Sequence, residues 1–144
     1  MYTHKKAMSL NNLANYYAVN KHYVKAVEHY RKALTLYDIL AEEKPFEYGI
    51  YMADILNNLS MLYLDMNRMA KSKELHENAL SIYRELAKQN PHRFAIELVQ
   101  CLVDGVIYLK EHSFTLYEAE MALYKIKEIG EAEHLMKAIR KLHQ

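Results

Sequence analysis

Apolar and small residues recur at three- and four-residue steps through nearly the whole chain, and the stripes they form predict seven helices. In the first helix, about Thr3 to Val19, the inward positions are Ala7, Leu10, Leu13, Ala14 and Tyr17, the alternation that marks one helix face. Asn20 and Lys21 end it, since Asn tolerates the left-handed conformation that closes a helix. The second helix, roughly His22 to Glu42, puts Tyr23, Ala26, Tyr30, Ala33, Tyr37 and Leu40 on one stripe. Its other face carries Lys25, Glu28, Arg31, Lys32 and Asp38 for water. Pro45 then punctuates the chain, because a residue without an N–H suits only the first turn of a helix.

The third helix, Phe46 to Met66, turns Ile55, Leu56, Leu59 and Tyr63 inward, and Asn67 marks the joint after it. The fourth, Met69 to Gln89, uses Met69, Ser72, Leu75, His76, Ala79, Leu80, Tyr83 and Leu86 in the same way. After Asn90 and Pro91 the fifth helix, Arg93 to Glu111, is apolar round much of its circumference, which predicts neighbours on both sides. A sixth helix runs from Phe114 to Ile129, with Gly130 as its stop. The last is amphipathic, with Ala132, Leu135, Met136, Ile139 and Leu142 on one side. Glu131, Glu133, Lys137, Arg140 and Lys141 lie on the other, the pattern of a helix that caps a stack.

The helices are not independent. Leu10-Asn11-Asn12-Leu13-Ala14-Asn15-Tyr16-Tyr17 returns 46 residues later as Leu56-Asn57-Asn58-Leu59-Ser60-Met61-Leu62-Tyr63. The echo continues in register: Glu28 with Glu74, Ala33-Leu34 with Ala79-Leu80, Tyr37 with Tyr83, Pro45 with Pro91. A period of this length with mostly apolar or small shared positions is the mark of stacked structural repeats.

Composition narrows the classes. The chain has 144 residues, 51% of them hydrophobic, with 13 Tyr and 8 Met but only 3 Gly and 2 Pro, so little besides long helices and short joints fits. Nineteen basic residues against eighteen acidic ones leave a net charge of +1, which removes the electrostatic case for nucleic acid or an anionic membrane. No run approaches the ~18 apolar residues of a membrane span. The segment Met1 to Asn12 lacks the apolar core of a signal peptide. With the lone Cys101 placed as a small core hydrophobe, these features predict a cytoplasmic protein.

The period of 46 is nearer the ~40–47 of HEAT and armadillo arrays than the ~34 of tetratricopeptide repeats. Spacing within the repeat points the other way. Large Leu10, Leu13, small Ala14, aromatic Tyr17, then small Ala26, aromatic Tyr30 and small Ala33 follow in order. The second copy has Leu56, Leu59, Ser60, Tyr63, Ser72, His76 and Ala79, weaker at Ser72 and His76. This pattern resembles the tetratricopeptide signature in size and spacing. Small residues at Ala14 and Ala26 let the two helices of a hairpin approach closely. Longer repeats of this kind look similar to those of kinesin light chains and related bacterial tetratricopeptide proteins.

The resemblance covers about Thr3 to Pro91 well, whereas Gly105 and Tyr108 align only with a one-residue shift of register. It implies an all-α fold, a right-handed α–α superhelix, or tetratricopeptide-like solenoid, of three helix pairs plus a C-terminal capping helix. One domain, 1–144, would hold repeats at about 3–45, 46–91 and 92–130 and the cap at 131–144.

The candidate chemistry is that of binding. Eight histidines form no His-x-x-x-His pair, the three glycines are 56 and 25 residues apart, and no general acid–base pair stands out. The expectation is therefore no enzyme activity, no metal and no cofactor. In the family the first helix of each repeat lines a concave groove, where asparagines commonly bind the backbone of an extended peptide. The matching positions are Asn11, Asn12 and Asn15 in the first helix and Asn57 and Asn58 in the third. An amide offers both a donor and an acceptor to a peptide backbone. The competing reading has Asn12 and Asn58 bonding neighbouring helices instead.

By the same resemblance Met8, Ala18, Asp54, Met61, Leu64 and Gln100 also face the groove. A clamp for a C-terminal carboxylate is not expected, because Asn11 stands where such members carry Lys and Asp54 would repel the ligand. The implied partner is a protein or peptide docked in the groove. The alternative is assembly, as a homo-oligomer or with the rest of a complex, through exposed faces of the first or third repeat.

Overall fold

The computed structural model describes residues 2–111, 115–128 and 130–143. Among them are seven helices and no strand: α1 Tyr2–Val19, α2 Tyr23–Glu43, α3 Pro45–Asp65, α4 Met69–Gln89, α5 Pro91–Tyr108, α6 Thr115–Tyr124 and α7 Gly130–His143. The fold is all-α and tetratricopeptide-like. Two compact units emerge, Met1–Ala79 and Leu80–Gln144.

In the first unit α1 packs on α2 and α2 on α3. The two helices of a hairpin meet at the expected small residues: Ala14 and Ala26 are both fully buried. The corresponding pair one period later is Ser60 and Ser72, also fully buried. There each hydroxyl donates to the other residue's carbonyl, at 2.7 and 2.6 Å, with the two oxygens 3.0 Å apart. Ser72 is thus no weakening of the pattern. Its polar atom is satisfied across the closest approach of the hairpin, at a net gain of about 1 kcal/mol per bond.

The joints repeat as faithfully as the helices. Lys21 and Asn67 both adopt left-handed backbone, with φ of 60° and 63°. In both turns the next N–H reaches back five residues, His22 to Tyr17 and Arg68 to Tyr63, each at 2.8 Å. The left-handed residue itself bonds three back, to Ala18 and to Leu64. This paired closure is the Schellman motif. The left-handed residue of the first turn is Lys21, whereas Asn20 contributes a side-chain N–H to the Tyr16 carbonyl at 2.8 Å. Lys44 alone joins α2 to α3, with Pro45 at the first turn of α3 and an extended φ of −135° before it.

Leu13 departs from its expected inward place: it is 40% exposed, although Ala7 and Ala14 beside it are sealed. The residue lies off the face that α2 covers, so its burial awaits something on the far side of α1.

The second unit takes α5, α6, α7 and the end of α4, with α5 packed on α6 and both on α7. Asn90 caps α5 by accepting the Arg93 N–H at 3.3 Å, and Pro91 fills the first turn. Helix α5 stops at Tyr108, short of the expected Glu111. Its exit carries a third left-handed residue, Lys110 (φ 57°), but the Glu111 N–H reaches back six residues to Gly105. The turn therefore differs from those at Lys21 and Asn67 both in its hydrogen bonding and in its place, since a further step of 46 from Asn67 falls at position 113.

Helix α6 is also shorter than expected. It ends at Tyr124, and the Ile126 N–H bonds to the Leu123 carbonyl at 3.0 Å, a tightened last turn that breaks the α pattern. Gly130 opens α7 instead of closing α6. The charged side of α7 faces solvent while Ala132 and Ile139 are buried. The expected ends of the sixth helix, Phe114 and Ile129, lie outside the described residues, as do Met1, His112 and Gln144.

Candidate functional site

Helical spacing brings the predicted binding residues of α1 to one face, since Met8, Asn11 and Asn15 are three and four apart. On α3 the same steps align Asp54, Asn57, Asn58 and Met61. Both helices belong to the first unit. Their N-terminal halves meet through His4, whose ring centroid lies 5.3 Å from that of Tyr48 and 4.9 Å from that of Tyr51. Gln100 is exposed on α5, in the second unit.

The asparagines are not equivalent. The Asn15 carbonyl oxygen accepts a hydrogen bond from the Tyr30 hydroxyl of α2, so this side chain also braces the hairpin. Burial of the Tyr30 ring pushes its pKa up to about 12, which keeps the phenol protonated and donating. Asn11 is different. Its carbonyl oxygen is enclosed and has no hydrogen-bond partner among the described residues. Asn57 and Asn58 are both half-buried, and Asp54 is exposed. Met8 is exposed and Met61 half-buried, so each offers thioether surface beside the amides.

Behind this face stands a cluster of rings that sequence reasoning missed. Tyr37 of α2 stacks on Tyr51 of α3 at 5.1 Å with planes 7° apart, and His4 lies edgewise 5.6 Å from Tyr37. The Tyr37 hydroxyl and His4 Nδ1 are both buried without a hydrogen bond among the described residues. Desolvation, helped by the nearby Tyr51 and Tyr48 hydroxyls, pushes Tyr37 up to about 12. The stripe of α2 foretold that Tyr37 points inward. Nothing in the 46-residue period signalled that His4 would join it.

The second unit holds a separate cleft of about 300 Å³ lined by Ala87, Pro91, Leu98, Lys88, Met121 and Lys125. At its rim Arg84 donates two hydrogen bonds to Glu118, 2.9 and 3.0 Å long, the bidentate geometry in which Arg holds a carboxylate best. Among the described residues, no group of three His, Cys, Asp or Glu is placed to hold a metal ion. No described helix is long and apolar enough to cross a membrane.

Two family models for the tetratricopeptide repeat match the chain, one over residues 7–38 and the other over residues 52–92. The first stretch runs through α1 and α2, and the second begins inside α3 and ends just past Pro91. No curated protein matches the chain.

Proposed function

The chain belongs to the tetratricopeptide repeat family, a non-catalytic scaffold family whose repeats generally serve as protein–protein interaction modules, and from that premise we propose that it binds an extended peptide segment across α1 and α3. One observation carries the reading. The enclosed Asn11 carbonyl oxygen lacks a partner, and a buried acceptor left unpaired costs about 1–3 kcal/mol. A turn of the half-buried Asn11 side chain brings this oxygen to a peptide N–H docked on the face and removes that cost. Asn57 and Asn58 stand on the equivalent face of α3, positioned to read backbone groups further along the same peptide. Met8 and Met61 supply apolar surface that adapts to side chains of varied shape.

Recognition of this kind is passive. Ala14 and Ala26 are sealed within the first hairpin and Ser60 and Ser72 are bonded across the second, so the face is preformed and little ordering entropy is lost on binding. Asp54 is exposed on the α3 side of the face, which favours a segment with a basic residue there over one ending in a carboxylate.

The test must avoid Asn15, because truncating it strands the Tyr30 hydroxyl and destabilises the hairpin for reasons unrelated to binding. Peptides selected from a random displayed library against the full chain are titrated against Asn11→Ala and Met8→Glu, with helicity checked by circular dichroism. A loss of about tenfold or more for Asn11→Ala, the worth of one good hydrogen bond, supports the reading. Equal affinity of both variants and the parent protein sinks it.

A further inference from the structure

The exposed side of α1 carries Tyr2, Lys6, Ser9, Leu13 and Tyr16, with Lys6 at its edge toward α2. Tyr2 is 79% and Tyr16 62% exposed. One period later the same places on α3 hold Tyr48, Met52, Ile55, Leu59 and Leu62, and there the last three are buried in the unit where α3 packs on α2. The register that is sealed on α3 is open on α1, yet it keeps three large apolar side chains. An adjoining hollow of about 440 Å³, floored by Leu10 and Leu36 and edged by Lys6 and Lys32, widens the apolar surface toward α2.

The pattern on this face is self-complementary. Tyr2 and Tyr16 each lie seven residues from Ser9, about 10 Å along the helix axis in either direction. A two-fold axis through Ser9 therefore sets Tyr2 of one copy against Tyr16 of another, at both ends of an antiparallel helix pair. The same operation sets Lys6 against Asn12, a donor against an amide acceptor, and Lys5 against Leu13, where the lysine stem covers an apolar side chain. Ser9, small where α3 has Ile55, is the residue at the crossing and lets the helices approach closely.

Charge points the same way. From Ala7 to Asn20 the chain has no acidic or basic residue, so nothing in this stretch meets a like charge when two copies pair. Lys5 and Lys6 sit near the N-terminus of α1, and its last turn has no basic residue, an arrangement opposed to the helix dipole. An antiparallel neighbour moves these lysines toward the partially negative end of the other helix. The contrasting surface is the outward side of α7, where Glu131, Glu133, Lys137, Arg140 and Lys141 are all exposed. A head-to-tail contact there sets the uncharged stretch of α1 against charge, whereas two-fold pairing sets it against itself and closes on a dimer.

The geometry points to a reversible homodimer formed by antiparallel pairing of α1 with α1 of a second copy, crossing at Ser9. A single helix pair lies at the small end of specific interfaces, so the association is concentration-dependent.

Sedimentation velocity of the full chain over a dilution series from millimolar to micromolar tests the first part. A monomer–dimer equilibrium is expected. Oxidative cross-linking tests the axis: Ser9→Cys places two thiols across it and joins two copies readily, whereas Tyr16→Cys alone does not and a mixture of Tyr2→Cys with Tyr16→Cys does. Cys101 is buried and stays out of the reaction. Ser9→Lys puts two ammonium groups face to face and weakens the dimer about a hundredfold, with helicity unchanged because the residue is exposed. A monomer at every concentration overturns the proposal and assigns this face to a helix of another protein or of a longer chain. Open polymers, or a dimer indifferent to Ser9→Lys in which Ser9→Cys links no faster than Tyr16→Cys, overturn it equally.

Discussion

Leu13 and Leu59 occupy the same place in two copies of one octet, and the first is 40% exposed while the second is fully buried. Tyr16 and Leu62 repeat the contrast, at 62% and 3%. The local sequence around each pair is nearly the same, and so is the turn that follows. What differs is the number of neighbours: α1 packs on α2, whereas α3 packs on α2 and is also bonded to α4 through Ser60 and Ser72. Burial in a stacked-repeat protein is therefore a property of the neighbouring hairpin as much as of the residue, as expected when each repeat completes its core only by stacking.

The largest effects should come from cutting the same atom group in both places. Leu59→Ala is expected to cost about 2–5 kcal/mol, the range for a truncated leucine in a packed core. Leu13→Ala should cost well under that, within about 1 kcal/mol, because much of the side chain is already in water. Urea unfolding of the two variants, followed by circular dichroism, reads the difference. Equal costs would mean that α1 is covered as fully as α3.

Next in size is the contact at the heart of each hairpin. Ser60→Ala removes the hydroxyl that donates to the Ser72 carbonyl and leaves the Ser72 hydroxyl with only the residue-60 carbonyl, and should cost about 1–2 kcal/mol. The double change Ser60→Ala with Ser72→Ala rebuilds the Ala14–Ala26 arrangement of the first repeat and should recover most of that loss. A thermal-unfolding double-mutant cycle measures the coupling. Strict additivity would show that the two hydroxyls do not act together.

The two buried tyrosines of α2 separate in sign. Tyr30→Phe loses the bond to Asn15 and should destabilise by about 1 kcal/mol, whereas Tyr37→Phe removes a hydroxyl that has no partner and should be neutral or stabilising. Both phenols have pKa values near 12 when folded and near 10 when unfolded. The unfolded chain thus releases its protons first, so stability is fully present below pH 10 and declines as the pH rises toward 12. Tyr37→Phe should flatten that decline in alkaline urea titrations, and an unchanged slope would contradict the assignment.

Smallest are the turns. Lys21→Gly and Asn67→Gly should each raise stability by a few tenths of a kcal/mol, Lys21→Gly the more, since Asn already tolerates left-handed backbone better than Lys. Melting temperatures of the two variants rank them, and a loss at both would point to a role for the side chains.

Much of the fold was legible because its signal is periodic. The stripes of α2, α3 and α4 named the buried residues almost one for one, from Tyr30 and Tyr37 to Leu59, Leu80 and Tyr83. The exposure of Leu13 was not legible, since periodicity reports which face is apolar and says nothing of what stands opposite. The ends of α5 and α6 were misread for a related reason: a slipped turn at Lys110 and a tightened turn at Ile126 are backbone events that leave no trace in hydrophobic spacing. At the proposed binding face, spacing aligned Met8, Asn11 and Asn15. It did not foresee that Asn15 would be engaged by Tyr30 while the Asn11 oxygen stayed enclosed and unpaired.

The claim beneath all of this is that α1 and α3 are one helix design under different cover. Hydrogen exchange of the full chain, at concentrations low enough to keep it monomeric, addresses that claim directly. The account predicts that amides of 55–63 in α3 are among the slowest to exchange and that their counterparts at 9–17 in α1 exchange much faster. Equal protection of the two stretches in the dilute monomer would contradict it.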